Sequence, residues 1–280
     1  MNLADAITAA GMTPPRYFKE GRWLRFPGVG KGRANRSGWC RVISPTLAIF
    51  GDWSSGVTQT WRDDAHRDDE RTLRLLTEAR QREREFEAAQ RKRQAEVAAE
   101  AQRIVNLAMP YGHPYLVSKG FPAMSGLVNG EHLIVPVRDV DRYSNLMTLQ
   151  LISADGTKRF LPGGRARGGI HRMGMSNASN IALCEGYATA LTILEAMKRT
   201  YRSFAVVACF SARNMEVVAT RFPTAVVFAD NDASKTGEES AKRTGLRWIM
   251  PPVVGTDFND VMCSDGIASV IASVREVFSP

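Results

Sequence analysis

The chain has 280 residues, 44% of them hydrophobic and 24% charged, enough for one large domain or two modest ones with a real core. It contains no apolar run of about 18 residues and no charged leader followed by an apolar stretch, which argues against a membrane span or a signal peptide. Four scattered cysteines (Cys40, Cys184, Cys209, Cys263) form no C-x₂-C pair. That points to reduced thiols in a cytoplasm and away from a zinc ribbon.

Net charge is +8, and its distribution says more than its size. Residues 1–61 hold 8 Lys and Arg against 3 Asp and Glu, and residues 104–172 hold 8 against 4, whereas 173–280 hold 10 against 11. The basic excess therefore lies upstream of the acidic clusters described below. Cations to hold phosphates beside carboxylates to hold a divalent metal suit an enzyme acting on nucleic acid. Charge alone leaves open a basic protein with no such role.

In chain order, residues 1–61 are rich in Gly, Arg and aromatics, with short alternating runs such as GWCRVI and LAIFGDW. They predict a brief opening helix and then a small twisted antiparallel sheet joined by Gly turns. Residues 62–103 contain no Gly or Pro and are dense in Arg, Glu, Gln and Ala. This reads as a solvated helix, about 60 Å long if unbroken at 1.5 Å per residue, spacing two domains. Apolar residues are too sparse for a continuous heptad seam, so a coiled-coil dimer is the weaker alternative. Pro110, Gly112 and Pro114 end that helix. A short helix (PYLVSKGF), strands EHLIVPVRD and LMTLQLIS, a DG turn and KRFLPGG follow. From residue 180 onward strands NIALCE, FAVVACF and AVVFAD alternate with helices YATALTILEAMKRT and NMEVVATRF. That pattern predicts a parallel sheet covered on both faces.

Each acidic cluster follows an apolar strand or its loop: Glu185 in LCEGY, Asp230 and Asp232 in FADND, and Asp257 and Asp260 in TDFND. Ligands of open α/β sheets gather at the carboxyl ends of the strands. Clustered carboxylates repel one another unless a divalent cation sits between them, and hard oxygen ligands suit Mg²⁺ or Mn²⁺. The reaction class is phosphoryl or nucleotidyl transfer, or phosphodiester cleavage. Taken singly, a Glu after a strand also serves a helix dipole, and a D-x-D also makes a turn. Gly186 leaves room for an approaching phosphate, and Gly237 and Ala241 fit close packing at the start of a helix. GVGKGRANRSG lacks phosphate-loop spacing and reads as a flexible basic loop. His113 and His171 lie near the site without metal-ligand spacing, and read as surface or structural residues.

The set EGYATA, ADND and DFND resembles the Toprim domain shared by topoisomerases and bacterial-type primases. Upstream, PYLVSKGF, LIVPVRD and KRFLPGG resemble segments of bacterial replicative primases that topoisomerases and Toprim nucleases lack. The resemblance, closest to primases of plasmids, phages and integrated elements, covers residues 110–265 and, more loosely, 16–61. It implies an α/β fold. A Toprim catalytic domain with a Rossmann-like parallel sheet (179–280) follows a mixed α+β subdomain (110–178), a charged helical linker (62–109) and a zinc-free N-terminal antiparallel β module (1–61).

It also implies roles. Glu185 would lie near the reacting 3′-hydroxyl as metal ligand or base. Asp230 and Asp232 would hold Mg²⁺ (or Mn²⁺), with Asp257 and Asp260, or Asn259, as further ligands and no zinc. Arg138 and Arg159, with Lys158, Arg165 and Lys119, would contact template backbone or nucleotide phosphates, although each also reads as ordinary solvated charge. In the N-terminal module, Trp23 and Trp39 with Arg22, Arg25, Lys31, Arg33, Arg36 and Arg41 would stack bases and grip phosphates. Phe50 and Trp53 read as core of the small sheet.

Neither the zinc ribbon nor the helicase-binding domain of the replicative enzymes is found here. The expected function is a cytoplasmic DNA primase making RNA primers on single-stranded DNA from ribonucleoside triphosphates, with a replicative helicase or origin-binding protein as a possible partner. The alternatives are a Toprim nuclease, and a non-catalytic nucleic-acid-binding accessory protein.

Overall fold

The computed structural model describes residues 1–63 and 70–279. Residues 64–69 of the charged segment lie outside them. The chain divides into two compact units, Met1–Ala89 and Gln90–Pro280.

In the first unit, α1 (Leu3–Ala9) opens on Asn2, whose side chain accepts the Asp5 N–H at 2.9 Å and satisfies one free donor of the first turn. Four antiparallel strands follow in sequential order: β1 (Trp23–Phe26), β2 (Gly38–Ser44), β3 (Leu47–Asp52) and β4 (Val57–Arg62). Alternation along the strands sends Phe26, Cys40, Val42, Ala48 and Phe50 to one face, where they bury against Leu3, Ala6 and Ile7 of α1. The opposite face carries Trp23, Arg25, Trp39 and Arg41, which are cross-strand neighbours. Phe50 is core as expected, but Trp53 is not. It lies in the turn after β3, 60% exposed.

The charged segment forms α2 (Glu70–Leu107). Its last turns are not purely solvated: Ala101, Ile104 and Val105 pack with Ile134, Leu146 and Leu149. Beyond it run β5 (Met109–Tyr111), α3 (Pro114–Ser118), β6 (Gly126–Asn129), β7 (His132–Asp139), β8 (Leu146–Ile152), β9 (Lys158–Phe160) and β10 (Gly169–Gly174). Then come β11 (Asn180–Cys184), α4 (Tyr187–Lys198), β12 (Phe204–Ala208), α5 (Ala212–Ala219), β13 (Val226–Phe228), α6 (Thr236–Thr244), β14 (Arg247–Ile249), α7 (Phe258–Asp265) and α8 (Ile267–Phe278).

All ten strands of this unit join one sheet, ordered β14-β13-β11-β12-β10-β7-β6-β5, with β8 on β7 and β9 on β8. The strands β14, β13, β11 and β12 are mutually parallel, and β10 is antiparallel to both β12 and β7. So β10 stitches the upstream antiparallel part to the parallel part, and no sheet edge falls at residue 178. Both faces of the parallel part are covered. Ala182, Cys184, Val206 and Phe228 bury against α4 and α8. The alternate residues Leu183, Val207 and Val227 bury against α5 and α6. No described helix is long and apolar enough to cross a membrane.

Gly237 allows α6 to start directly against the end of β13, since a Cβ there would collide with the Asp230 carbonyl. Gly237→Ala must therefore push the Asp230 backbone aside. The expected cost is about 1–3 kcal/mol, read as a lower urea midpoint. Gly245→Asn, at a left-handed position open to solvent, should cost much less.

Candidate active site

Pairing of β11 with β13 sets Cys184 opposite Phe228. Glu185 leaves β11 one residue later and Asp230 leaves β13 two residues later, so both emerge at the carboxyl edge of neighbouring parallel strands. Burial raises the Asp230 carboxyl to about 7, helped by the negative charges of Glu185 and Asp257 and opposed by Lys158. Its Oδ1 is buried with no hydrogen-bond partner. Burial also raises Glu185, offset by an N–H from Ala212 at the start of α5 and reinforced by Asp232. These two carboxylates are held partly out of water beside one another.

The remaining acids have helix ends to serve. Asp232 accepts the Gly237 N–H at 2.8 Å and the Thr236 N–H at 3.2 Å, and the Ser234 hydroxyl as well. The Ser234 hydroxyl and those N–H groups hold its carboxyl below the ordinary range. Asp257 and Asp260 form a reciprocal capping box on α7. Asp257 Oδ1 accepts the Asn259 and Asp260 N–H groups at 2.7 and 2.9 Å, and Asp260 accepts the Asp257 N–H at 2.9 Å. Thr189 Oγ1 donates to Asp257 Oδ2 at 3.0 Å, tying α4 to this cap. Asn259 is buried, and its amide donates to the Lys119 carbonyl at 2.9 Å and Thr192 Oγ1 at 3.1 Å. Its amide nitrogen thus tethers the end of α3 to α4, while its Oδ1 is buried without a partner.

Among the basic candidates, the carboxylates are joined by Lys158, which feels Asp230, Asp257 and Lys119. As a residue Lys158 is exposed, but its ammonium lies 5.7 Å from the Tyr115 ring centroid, partly withdrawn from water. That withdrawal, and then Lys119, lower its proton affinity while the two aspartates oppose them. On a strand, alternate residues share a face, so Lys158 and Phe160 lie on one side of β9 and Arg159 on the other. Arg138 and Arg165 are engaged elsewhere. Arg165 pairs with Asp139 at 2.6 Å, and Arg138 lies 5.8 Å from the Tyr143 ring centroid and donates to the Ser144 carbonyl. The two candidate histidines are structural: His113 caps α3, and His171 is half-buried with its ring against the Pro136 carbonyl, its pKa pushed down to about 4 by desolvation.

Among the described residues, no group of three or more His, Cys, Asp or Glu side chains is placed to hold a metal ion. The unpartnered oxygen of Asp230 beside Glu185 nevertheless suits a hard divalent cation that keeps most of its waters and binds substrate phosphate. Among the described residues the five carboxylates do not gather into one cage, and Asp232, Asp257 and Asp260 each also accept helix N–H groups.

The first unit offers a separate surface. Trp39 is buried between Trp23 and Trp53, with ring centroids 5.2 Å apart on each side. A Cβ on Gly51 would lie 2.9 Å from the Trp39 indole, so glycine there lets the ring lie flat on the sheet. Arg41 sits 5.8 Å from the Trp23 ring centroid, and Arg22, Arg25, Lys31, Arg33 and Arg36 are exposed. Asp52 anchors the loop that carries Lys31, Arg33 and Arg36, accepting from Val29 N–H at 3.1 Å and Ser54 N–H at 2.9 Å.

A carboxyl whose pKa rises on folding binds its proton more tightly in the folded state. Its stabilising contribution is complete below about pH 4 and is lost as pH rises through about 7 for Asp230. In EDTA, Asp230→Asn should therefore be more stable than the parent at pH 8, by up to about 4 kcal/mol, and little different at pH 4.5. Denaturant midpoints across this range measure it; a constant difference would remove the assigned shift.

Comparison with known proteins fits this layout. A profile of the Toprim domain matches residues 180–268. A DNA primase TraC of Escherichia coli is 29% identical over 89% of this chain and 25% of its own length. A second E. coli DNA primase TraC is 30% identical over 70% of this chain and 15% of its own length. The chain thus spans a quarter or less of these curated relatives. Among solved structures, the primase fragment of the bacteriophage T7 primase-helicase protein aligns over 52% of this chain and 64% of its own, with 14% identity and a TM-score of 0.41. A DNA primase domain from Pseudomonas aeruginosa aligns over 64% of this chain and 59% of its own, with 12% identity and a TM-score of 0.37. Residues 180–268 are a Toprim domain, and the chain that carries it is homologous to the DNA primases of the TraC type.

Proposed function

We propose that this chain is a DNA primase unit that joins ribonucleotides on a single-stranded DNA template, serving replication of a plasmid, phage or integrated element. One observation carries the reading. Lys158, from the segment upstream of the Toprim domain, sits in the electrostatic field of Asp230 and Asp257 beside Glu185. Any phosphoryl-transfer site on these carboxylates would use such a cation; what favours a primase over a nuclease is that similarity to a relative named DNA primase extends over 89% of the chain, far upstream of the Toprim part.

In this reading Glu185 and Asp230 hold Mg²⁺ or Mn²⁺. When bound, the cation lowers the pKa of the 3′-hydroxyl and neutralises triphosphate charge. Glu185, at the strand end beside Asp230, serves as metal ligand or as the base that takes the hydroxyl proton. Lys158 and Lys119 offset negative charge that builds on the phosphoryl oxygens. Asp232 and Asp257 fix the helix ends that frame the crevice. A replicative helicase or an origin-binding protein is the class of partner such a unit would need.

The test is incorporation of labelled NTPs on single-stranded DNA with Mg²⁺ or Mn²⁺. Glu185→Gln and Asp230→Asn should lower product by about 100-fold or more, and Lys158→Ala should lower it more than Arg159→Ala. Equal product from all four would overturn the reading, and nicking of plasmid without NTPs would favour a nuclease.

The tryptophan face of the first unit is the proposed template-binding surface. Trp23→Ala and Trp53→Ala should each weaken binding of a fluorescent oligodeoxythymidine, by about 1–3 kcal/mol for every base that no longer stacks. Arg25→Ala should flatten the salt dependence. Unchanged affinity in all three variants would assign the face to another purpose.

A further inference from the structure

Beside Glu185, where α5 begins, lies a cavity of about 230 Å³ lined by Phe160, Arg167, Phe210, Arg213 and Asn214, among others. We propose that it is a nucleobase subsite, receiving the base of a ribonucleoside triphosphate against the two phenylalanines while the arginines at its rim take the phosphates. This rests on the nucleotidyl-transfer reading above and names where its substrate is held.

The cavity adjoins the candidate centre through the backbone. Phe210 N–H donates to the Glu185 carbonyl at 2.8 Å, and the Ala212 N–H reaches the Glu185 carboxylate. Phe160 shares the face of β9 with Lys158, so one strand lines both the cavity and the carboxylate crevice. The Phe160 and Phe210 rings meet edge to face with centroids 5.7 Å apart. Phe210 adopts φ +68°, a left-handed conformation that a bulky side chain rarely takes. Such strain persists only where surrounding contacts enforce it, and it marks a functional position more often than a packing one.

Asn214 builds the opposite wall. It is buried and accepts the Gly168 N–H at 2.7 Å while donating to the Gly169 carbonyl at 2.8 Å and the Cys209 carbonyl at 2.7 Å. These three bonds clamp the loop carrying Arg167 to the start of α5, which carries Arg213. Both arginines are exposed, and among the described residues neither forms an ion pair in the structure. A cavity of this volume with aromatic walls admits one flat ring, and two guanidiniums lining it favour phosphate over neutral ligands. A template nucleotide offers the same chemistry, so the experiment separates the two sources.

Binding of fluorescently labelled ATP and GTP to the full chain is measured by anisotropy, alongside binding of a single-stranded oligodeoxynucleotide. Phe210→Gly removes the ring while relieving the backbone strain, and Arg213→Ala alters only an exposed position, so both variants should fold. Each should bind nucleotide about five-fold more weakly or worse, with oligonucleotide affinity unchanged. In primer synthesis the KM for NTP should rise more than kcat falls. Nucleotide affinity equal to the parent's would overturn the subsite while leaving the primase reading standing, provided the parent still makes primers. Loss of oligonucleotide rather than nucleotide binding would reassign the cavity to template. A parent that binds no nucleotide would overturn the subsite, and a parent that makes no primer would count separately against the primase reading.

Discussion

Burial of Asp230 next to Glu185 is the constraint on which the rest of the second unit turns. Two carboxylates partly out of water repel each other, and the fold accepts this because β11 and β13 are locked in register by their ladder and by the cores on both faces. The cost is visible in Asp230, whose carboxyl is raised to about 7 and keeps one oxygen without a partner. A protein does not retain such a group for stability, since an amide of the same shape would sit there at lower cost. The arrangement makes sense as a site waiting for positive charge, part of which Lys158 already supplies.

The division of labour among the acids follows from helix physics. The start of a helix exposes N–H groups and a partial positive charge, and a carboxylate placed there accepts the one and complements the other. Asp232 at α6 and Asp257 at α7 are of this kind. They position the turns on either side of the crevice, while Glu185 and Asp230 are the carboxyls that burial raises. Acidic residues that read alike in the sequence therefore do different things.

Much of this is legible in the sequence, and the exceptions have reasons. Apolar runs ending in a carboxylate mark the strand ends at Glu185 and Asp230, because a run buried on both faces must be nearly all apolar and its polar residues then fall at the ends. The motif DFND reads first for its charge, although Asp257 and Asp260 also have the three-residue spacing of a capping box, a local signal of their structural task. Trp53 reads as core because nothing in the sequence says where β3 stops; one residue past its end, an aromatic is free to turn outward. Lys158 and Arg159 are adjacent on a strand of three residues, too short for alternation to show which faces inward. The strand β10 is hidden because GIHRMG has no clear period, and its role depends on pairing with residues thirty or more positions away on either side.

That last strand has the largest consequence. Had the upstream subdomain been joined to the parallel sheet only by a loop, the distance from Lys158 to Asp230 would vary with every motion of that loop. Instead β9, β8, β7, β10, β12, β11 and β13 form an unbroken ladder from one residue to the other. Hydrogen-bonded strands keep their spacing and register far better than loops do, and a site assembled across them is held in place before substrate arrives. Asn259 adds a second tie by bonding the Lys119 carbonyl to α4 from within the core. Lys158 and the carboxylates are therefore carried by one continuous sheet, which gives a reason for the similarity to proteins named DNA primase to continue far upstream of the Toprim part: the upstream strands are part of the same platform.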